Sequence, residues 1–441
     1  MTHYGESQAM SNPPDEQPVP ADAVSAAYGH HKHYKWELLG LLFLAYFFHQ
    51  GDRAIFGVVL SSIRQELQLT DEQLGMVGSV LFFTLALMMP IAGYLGDIWN
   101  RKWIITCSLV FWSSATMFTG AVRGLSGLVA FRSVATAGGE SFYAPAACSL
   151  LAALHKRTRA LALSIHQASL YLGVMVSGFL GGWIADHWGW RSAFYVFGGF
   201  GILLGGVFVW RLKEAPREDG PSGQSPARVG PVEALGVIFR TPTALLATVA
   251  FTAIVFVNNA YLVWAPNFLE EKFQLSLTEA GWSSMFYHHL AAMIGVLVGG
   301  RVSDVMVLRR PQFRLQLQTS SMLLAAPLIV AVGLGGTLAV TCAAMAGMGL
   351  FRGLCESNTQ ATLFDVVPPR YRASAVSMMV MVGFLVGSTS SWLLGNCRTL
   401  FGREHGLSYG FAAFSLVYLA GGLAFLAALL FTFHRDRYVE A

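Results

Sequence analysis

Residues 93–102 read Gly93-Tyr94-Leu95-Gly96-Asp97-Ile98-Trp99-Asn100-Arg101-Lys102. An apolar run ends here in a carboxylate, and a basic pair a few residues later opens the next apolar run. The pattern returns as Gly300-x3-Asp304 before Arg309-Arg310. Two further landmarks recur in the same order. Leu67-Gln68-Leu69-Thr70 followed by Gly75 comes back as Phe273-Gln274-Leu275-Ser276 followed by Gly281. Arg157-x-Arg159-Ala160-x-Ala162-x-Ser164 comes back as Arg370-x-Arg372-Ala373-x-Ala375-x-Ser377. The offset drifts only from 206 residues (67 to 273) to 213 (157 to 370), so the chain is an internal duplication. Parallel repeats of apolar helices place a substrate site between the halves, near the bilayer midplane.

What the repeats are made of follows from composition. Of 441 residues, 54% are hydrophobic and 12% charged, with 46 glycines. A soluble chain carries roughly a quarter charged residues, so the main solvent of this one is lipid. A spanning helix needs about 20 mostly apolar residues. That length predicts spans over 36–60, 73–96, 103–122, 128–152, 158–185 and 191–211, then 243–268, 280–303, 315–334, 337–363, 371–395 and 409–433. The expected fold is therefore an all-α membrane protein of twelve transmembrane helices in two six-helix repeats. The boundaries are a disordered cytoplasmic tail over 1–35, bundles over 36–211 and 241–435, and a polar cytoplasmic linker over 212–240. The tail has no apolar core and no cleavage site, which argues against a signal peptide.

Charge sets the orientation. With the N-terminus inside, Arg64, Arg123, Arg191, Lys272, Arg398 and Arg403 fall in outer loops and Arg53, Arg132 and Arg352 within spans. The rest of the 29 basic residues lie on the inner side, which predicts cytoplasmic termini in a cell (inner) membrane by the positive-inside rule. The net charge of +4 does not point to nucleic acid, because no basic run is interleaved with stacking aromatics. Five scattered cysteines lack metal-ligand spacing, and no metal or cofactor is expected.

The stretch 93–102 resembles the signature loop of the major facilitator superfamily, and its second-half copy stands at the expected place. The resemblance covers 36–435 and implies the major facilitator fold, with Gly93, Asp97, Arg101, Lys102, Gly300, Asp304 and Arg309 gating the halves. Asp97 near Arg101 would join a charge cluster that breaks as the halves rock. Gly138-Gly139-Glu140-Ser141-Phe142-Tyr143-Ala144-Pro145, with Asp52-Arg53, is similar to the spinster-like lysolipid and sphingolipid transporters. Asp52-Arg53 fits equally the anion:cation symporters, which carry sugar acids and other organic anions. The chain departs from both branches at one place. Arg132 stands eight residues before Glu140 where an Arg usually stands seven before, so a direct Arg132–Glu140 pair is not expected.

Charged groups inside a span cost at least a few kcal/mol each and persist for a function or a partner. His49, Asp52, Arg53 and Phe56 share one helix face by their three- and four-residue spacing. The repeat puts Asn258 and Asn259 at the matching places, so one side of the site is charged and the other amide-lined. A carboxyl desolvated at the depth of Glu140 can load and release a proton near neutral pH. Asp52 and Glu140 are accordingly the candidate proton-coupling pair. Arg53 is either a counter-ion to Asp52 or an anchor for a substrate anion, which its planar fork suits. A permanent structural ion pair would account for the same residues. His166, Gln167 and Tyr171, with Tyr261 and Trp264, are candidate cavity lining. Arg352 and Glu356, four apart, read as a substrate contact or an intrahelical pair. His288-His289 is expected near the outer end of its helix. Gly173, Gly178, Gly181 and Gly182 allow close helix packing, and Met378, Met379 and Met381 could face an acyl chain or lipid.

No GxSxG, HExxH or Walker loop stands in the sequence, which excludes the enzyme classes those motifs define and leaves an ion gradient as the energy source. A channel or receptor fits poorly with a two-fold repeat holding buried titratable groups. The expected function is proton-coupled secondary transport by alternating access, as a monomer, of a small organic anion such as a sugar acid. The alternative is a spinster-like lysolipid or other amphiphile with an anionic head. Partners are then the substrate, the proton and membrane lipid.

Overall fold

Gln68 and Gln274 are the only non-glycine residues with positive φ among the described residues, at 52° and 54°. Each ends a helix in the left-handed conformation and is followed by a capping box. Thr70 Oγ1 accepts from the Gln73 amide at 3.2 Å and Gln73 Oε1 from the Thr70 amide at 3.0 Å. Ser276 and Glu279 repeat the arrangement at 3.2 and 3.1 Å. A left-handed stop followed by a reciprocal cap turns the chain sharply and satisfies two otherwise orphaned amides. The Leu-Gln-Leu-Thr landmark and its copy are thus one hairpin built twice.

The computed structural model describes residues 33–214 and 231–438. The expected tail as far as residue 32 and the linker between 215 and 230 lie outside the described residues, as does the side chain of Asp97. Nine helices, counted among the described residues, are long and apolar enough to cross a membrane. These are α2 Asp71–Ile98, α5 Arg159–Trp188, α6 Trp190–Arg211, α7 Pro242–Phe273, α8 Leu277–Val307, α9 Phe313–Leu334, α10 Leu338–Phe364, α11 Pro369–Phe401 and α12 Gly406–Asp436. Three more helical segments complete the twelve. α1 Tyr34–Val58 carries Glu37, Asp52 and Arg53, and α3 Arg101–Thr119 is rich in Ser and Thr. α4 is built in pieces from Leu125 to Leu154.

The pieces of α4 have local causes. Leu128–Ala135 is a π-helix, a form with wider turns that accommodates an extra residue. Thr136 Oγ1 donates to the Phe131 carbonyl five residues back at 2.8 Å. The helix breaks again at Ser141–Phe142, because Pro145 has no N–H to give the Ser141 carbonyl. Within the expected linker, Pro231–Arg240 is a further helix.

α1 packs along α5, α3 along α6, α8 along α10 and α9 along α12. The first six helices meet the last six along three seams, α5/α8, α2/α11 and α1/α7. These are tightest at the end opposite the chain termini. A Cβ on Gly182 would lie 2.5 Å from the Leu277 carbonyl oxygen, and one on Gly395 2.6 Å from that of Asp71. Only glycine lets the backbones approach so closely. Asp186, ending α5, accepts from the Leu277 and Thr278 amides at 3.2 and 2.9 Å and so caps α8 across the seam. At the terminal end, the ion pairs that the structure describes stay within one half or reach the linker segment.

The signature loop meets its partners there. Glu214, just past α6, accepts from Arg101 Nε at 2.7 Å and from the Lys102 amide at 2.9 Å, neutralising the start of α3. Lys102 Nζ reaches the Val209 carbonyl at 2.9 Å. In the second half the acid of the motif, Asp304, faces Arg314 at 3.9 Å, not Arg309. Arg314 in turn holds Asp365 with both oxygens at 2.9 Å. Arg309 is exposed.

Candidate transport site

The charged face of α1 is buried against α3 and α4. Arg53 Nε donates to Glu140 Oε2 at 2.8 Å, and the Glu140 side chain is fully buried. Asp52 Oδ2 accepts from Thr116 of α3 at 2.7 Å and from Arg132 Nη1 at 3.3 Å. Arg132 Nη2 donates to the Asp52 carbonyl at 3.0 Å, fastening the π segment to α1. The pairing is therefore crossed: each acid–base pair joins α1 to α4, and neighbours within one helix are not partners. Arg132 and Glu140 are not paired with each other. In a regular helix eight residues turn through about 800°, leaving the two side chains roughly 80° apart. The π turn absorbs the extra residue, so Arg132 and Glu140 both face α1.

Two buried carboxylates face two guanidiniums, so the cluster is neutral when all four are ionised. Each carboxylate keeps one buried oxygen without a protein partner, Asp52 Oδ1 and Glu140 Oε1. Those are the positions a proton can occupy without breaking an existing hydrogen bond. Removing one member of a buried pair costs about 3–5 kcal/mol, because the charge left behind is uncompensated. Protonating one carboxylate has the same character and weakens its hold on its guanidinium. Arg53 Nε is taken by Glu140, while Arg53 itself lines a small cavity with Phe56, Leu81, Phe82, Arg132 and Leu262.

An aromatic column continues from this cluster towards α5. His49 Nε2 lies 3.4 Å from the Glu140 carbonyl and 3.9 Å from its Oε2, with Gln50 donating to Nδ1 at 3.0 Å. The His49 ring is edge-on to Trp112, at 5.3 Å between centroids. Tyr46 stacks on His166 at 4.5 Å. Tyr143 gives its one proton to the Leu42 carbonyl at 2.6 Å, so at 3.2 Å it is His166 Nε2 that donates.

The second half holds a separate cluster. Arg352 Nη1 donates to His288 Nε2 at 3.2 Å, and Arg352 Nη2 lies 3.3 Å from Glu356. Arginine only donates, so His288 is neutral with its proton on Nδ1, directed at the Met345 carbonyl 3.3 Å away. Tyr261 packs on the His288 ring at 4.4 Å between centroids and donates to the Ser284 carbonyl at 2.5 Å. His288 was expected near the outer end of its helix. It lies well inside α8, fully buried, and its signal was that of any titratable side chain within a span. Asn258 Oδ1 and Asn259 Nδ2 are buried without partners.

The remaining candidates are dispersed. Tyr171 packs with Met175 and Ala292 between α5 and α8, and Gln167 is exposed. Trp264 is fully buried and donates to the Ser391 carbonyl at 2.9 Å, on the closed α7/α11 side. Sequence reasoning passed over Thr116, whose hydroxyl carries no signal distinct from that of other helical threonines. It also gave Arg132 no partner.

Twelve helices in two repeats, closed against each other at one end and holding buried, crossed acid–base pairs within the first, define a multi-pass membrane protein of the secondary-transporter class. The chain belongs to the Major Facilitator Superfamily, whose sequence profile matches residues 42–391. It is a transporter of that superfamily and not an enzyme. It is 25% identical to Protein spinster homolog 1 of Bos taurus, over 96% of this chain and 86% of that protein. It is 27% identical to the Sphingosine-1-phosphate transporter SPNS2 of Mus musculus, over 88% of this chain and 75% of that protein. Its fold is similar to the crystal structure of a bacterial homolog to human lysosomal transporter Spinster in an inward-facing and unoccupied conformation. That match has a TM-score of 0.83 at 22% identity, covering 93% of this chain and all of the other. A D-xylose-proton symporter aligns with a TM-score of 0.72 at 15% identity, over 92% of this chain and all of the other.

Proposed function

We propose that this transporter moves an amphiphile with an anionic head, of the lysolipid or phosphorylated sphingoid class, by proton-coupled alternating access. The observation that carries the coupling is the Arg53–Glu140 pair, 2.8 Å apart, with Glu140 Oε1 buried and unpartnered. A proton arriving on Glu140 removes the charge that holds Arg53. The guanidinium then turns its fork to a phosphate or carboxylate head. Loss of that proton returns Arg53 to Glu140 and expels the anion. Asp52, held by Arg132 and Thr116, is the second titrating group. Asn258 and Asn259 offer neutral hydrogen bonds from the other half.

The substrate class is supported by the spinster and sphingosine-1-phosphate relatives. That support outweighs the sugar-acid expectation from the sequence, because both substrates need the same anion anchor and the residue types do not separate them. The bundles over 36–211 and 241–435 would rock about the site, with the signature loops as gates at the terminal end. Both termini would be cytoplasmic in the cell membrane by the excess of Lys and Arg on that side, and one chain would suffice.

The test is thermal stabilisation of purified protein by a panel of lysophospholipids, sphingoid phosphates and sugar acids at two pH values, with Glu140→Gln alongside wild type. Stabilisation by the amphiphiles, pH-dependent in wild type and pH-independent in the variant, is expected. Stabilisation by sugar acids alone would sink the substrate class. A pH dependence unchanged in Glu140→Gln would sink the coupling.

A further inference from the structure

Thr116 is buried on α3 and faces two acceptors at once. Its Oγ1 lies 2.7 Å from Asp52 Oδ2 and 2.9 Å from the Trp112 carbonyl oxygen. A hydroxyl has one proton and cannot donate to both. We infer that Thr116 is a positioning residue for Asp52, its hydroxyl turning to the carboxylate when Asp52 is ionised and to Trp112 when Asp52 is protonated. The inference rests on the reading of Asp52 as a titrating group.

An ionised carboxylate only accepts, so the 2.7 Å contact then requires the Thr116 proton. Once Asp52 carries a proton on Oδ1, Oδ2 is the carbonyl oxygen of a neutral acid and a weaker acceptor, and the hydroxyl proton swings to the Trp112 carbonyl one helical turn back. Thr116 is satisfied in either state, but the contacts differ in strength. A hydrogen bond to a charged group contributes more than one between neutral groups. Thr116 therefore favours the ionised form and sets the pH at which Asp52 loads. The charged and titratable groups around Asp52 are His49 and Arg53 on its own helix and Arg132 and Glu140 on α4. From α3 it meets the neutral Thr116 hydroxyl. Trp112, whose carbonyl takes the proton in the other state, lies edge-on to His49. The toggle thus connects the Asp52 charge to the aromatic column.

The experiment is the pH profile of transport, with thermal stability recorded alongside, for wild type, Thr116→Val, Thr116→Ala, Thr116→Ser and Asp52→Asn. Both variants without the hydroxyl should move the loading midpoint upward by about 0.5–1 pH unit, and Thr116→Ser should restore it. A purely structural role would lower stability or rate without moving the midpoint. If Asp52→Asn abolishes the titration while Thr116→Val and Thr116→Ala keep the wild-type midpoint, the inference fails and the coupling stands. If Asp52→Asn keeps the wild-type profile, Asp52 does not titrate in transport and the inference falls, while the coupling through Glu140 is left to its own test with Glu140→Gln.

Discussion

Arg398, near the end of α11, donates to Asp71, the first residue of α2, at 3.3 Å across the seam between the halves. The contact is one side of a ring. Arg64 donates to the same Asp71 oxygen at 3.0 Å and to Glu271 at 2.5 Å, and Glu271 also meets Arg398. Each half supplies one arginine and one acid. When the halves part at this end, Arg64 keeps Asp71 and Arg398 keeps Glu271, so no charge is left single. The ring can hold the end shut without making separation prohibitive.

Neutralising one member should upset that balance. In Arg398→Gln two carboxylates share Arg64 when the end is closed, and separation relieves their repulsion. The partly exposed acids limit the effect to roughly 1 kcal/mol, about a fivefold shift towards the separated state. Spin labels at Gln68 and Gln274, exposed turn residues on opposite halves, would report it as a gain in the longer distance. An unchanged distribution would show that the ring does not hold the gate.

The spans and the duplication were legible because lipid imposes a length and the hairpin imposes a spelling: a left-handed Gln, then a capping box. The Asp52-Arg53 pair announced itself as charge inside a span. The choice of partners was not legible. Which arginine meets which acid depends on the phase of α4, and a π turn shifts that phase with no residue type that marks it. Asp304 pairs with Arg314 and not Arg309 because the start of α9 brings Arg314 back under α8, a tertiary fact. Glu214 lies beyond α6, far in sequence from the helix it caps.

The π turn can be tested directly. Deleting Val134, which lies within the π segment and is exposed, leaves Arg132 seven residues before Glu140 and lets α4 run as a regular helix. Seven residues turn through about 700°, within roughly 20° of one face, so both crossed pairs should survive. Melting temperature and pH-dependent transport should stay close to wild type. Deleting Ala147 from the regular part of the same helix rotates everything beyond it by about 100° and should abolish folding. Loss of coupling in the Val134 deletion would mean that the π geometry itself is needed.

Arg53→Lys is not a conservative change here. Arg53 holds Glu140 through Nε, which leaves its other nitrogens for a ligand. A lysine ammonium has no planar fork and cannot meet the two oxygens of a phosphate or carboxylate head through parallel bonds. Affinity for the anionic amphiphile should fall about tenfold or more, with the melting temperature of the unliganded protein little changed. Titration calorimetry of both proteins decides it, and equal affinities would remove Arg53 from the substrate site.

The motif glycines make the last test. In this conformation a Cβ on Gly93 or Gly300 meets nothing within 4 Å, whereas one on Gly281 would sit 2.2 Å from the Gly178 carbonyl oxygen. α2 and α8 thus use their glycines at the closed end and hold others in reserve at the terminal end. If rocking closes the terminal end, the tight seam moves to Gly93 and Gly300. Alanine at either should leave the melting temperature of the present state unchanged and yet slow transport. Gly281→Ala should lower the melting temperature, because backbone cannot yield as a flexible side chain would. A Gly93→Ala protein that melts early but transports at the wild-type rate would reverse this assignment, since the glycine would then be serving this conformation and not its alternate.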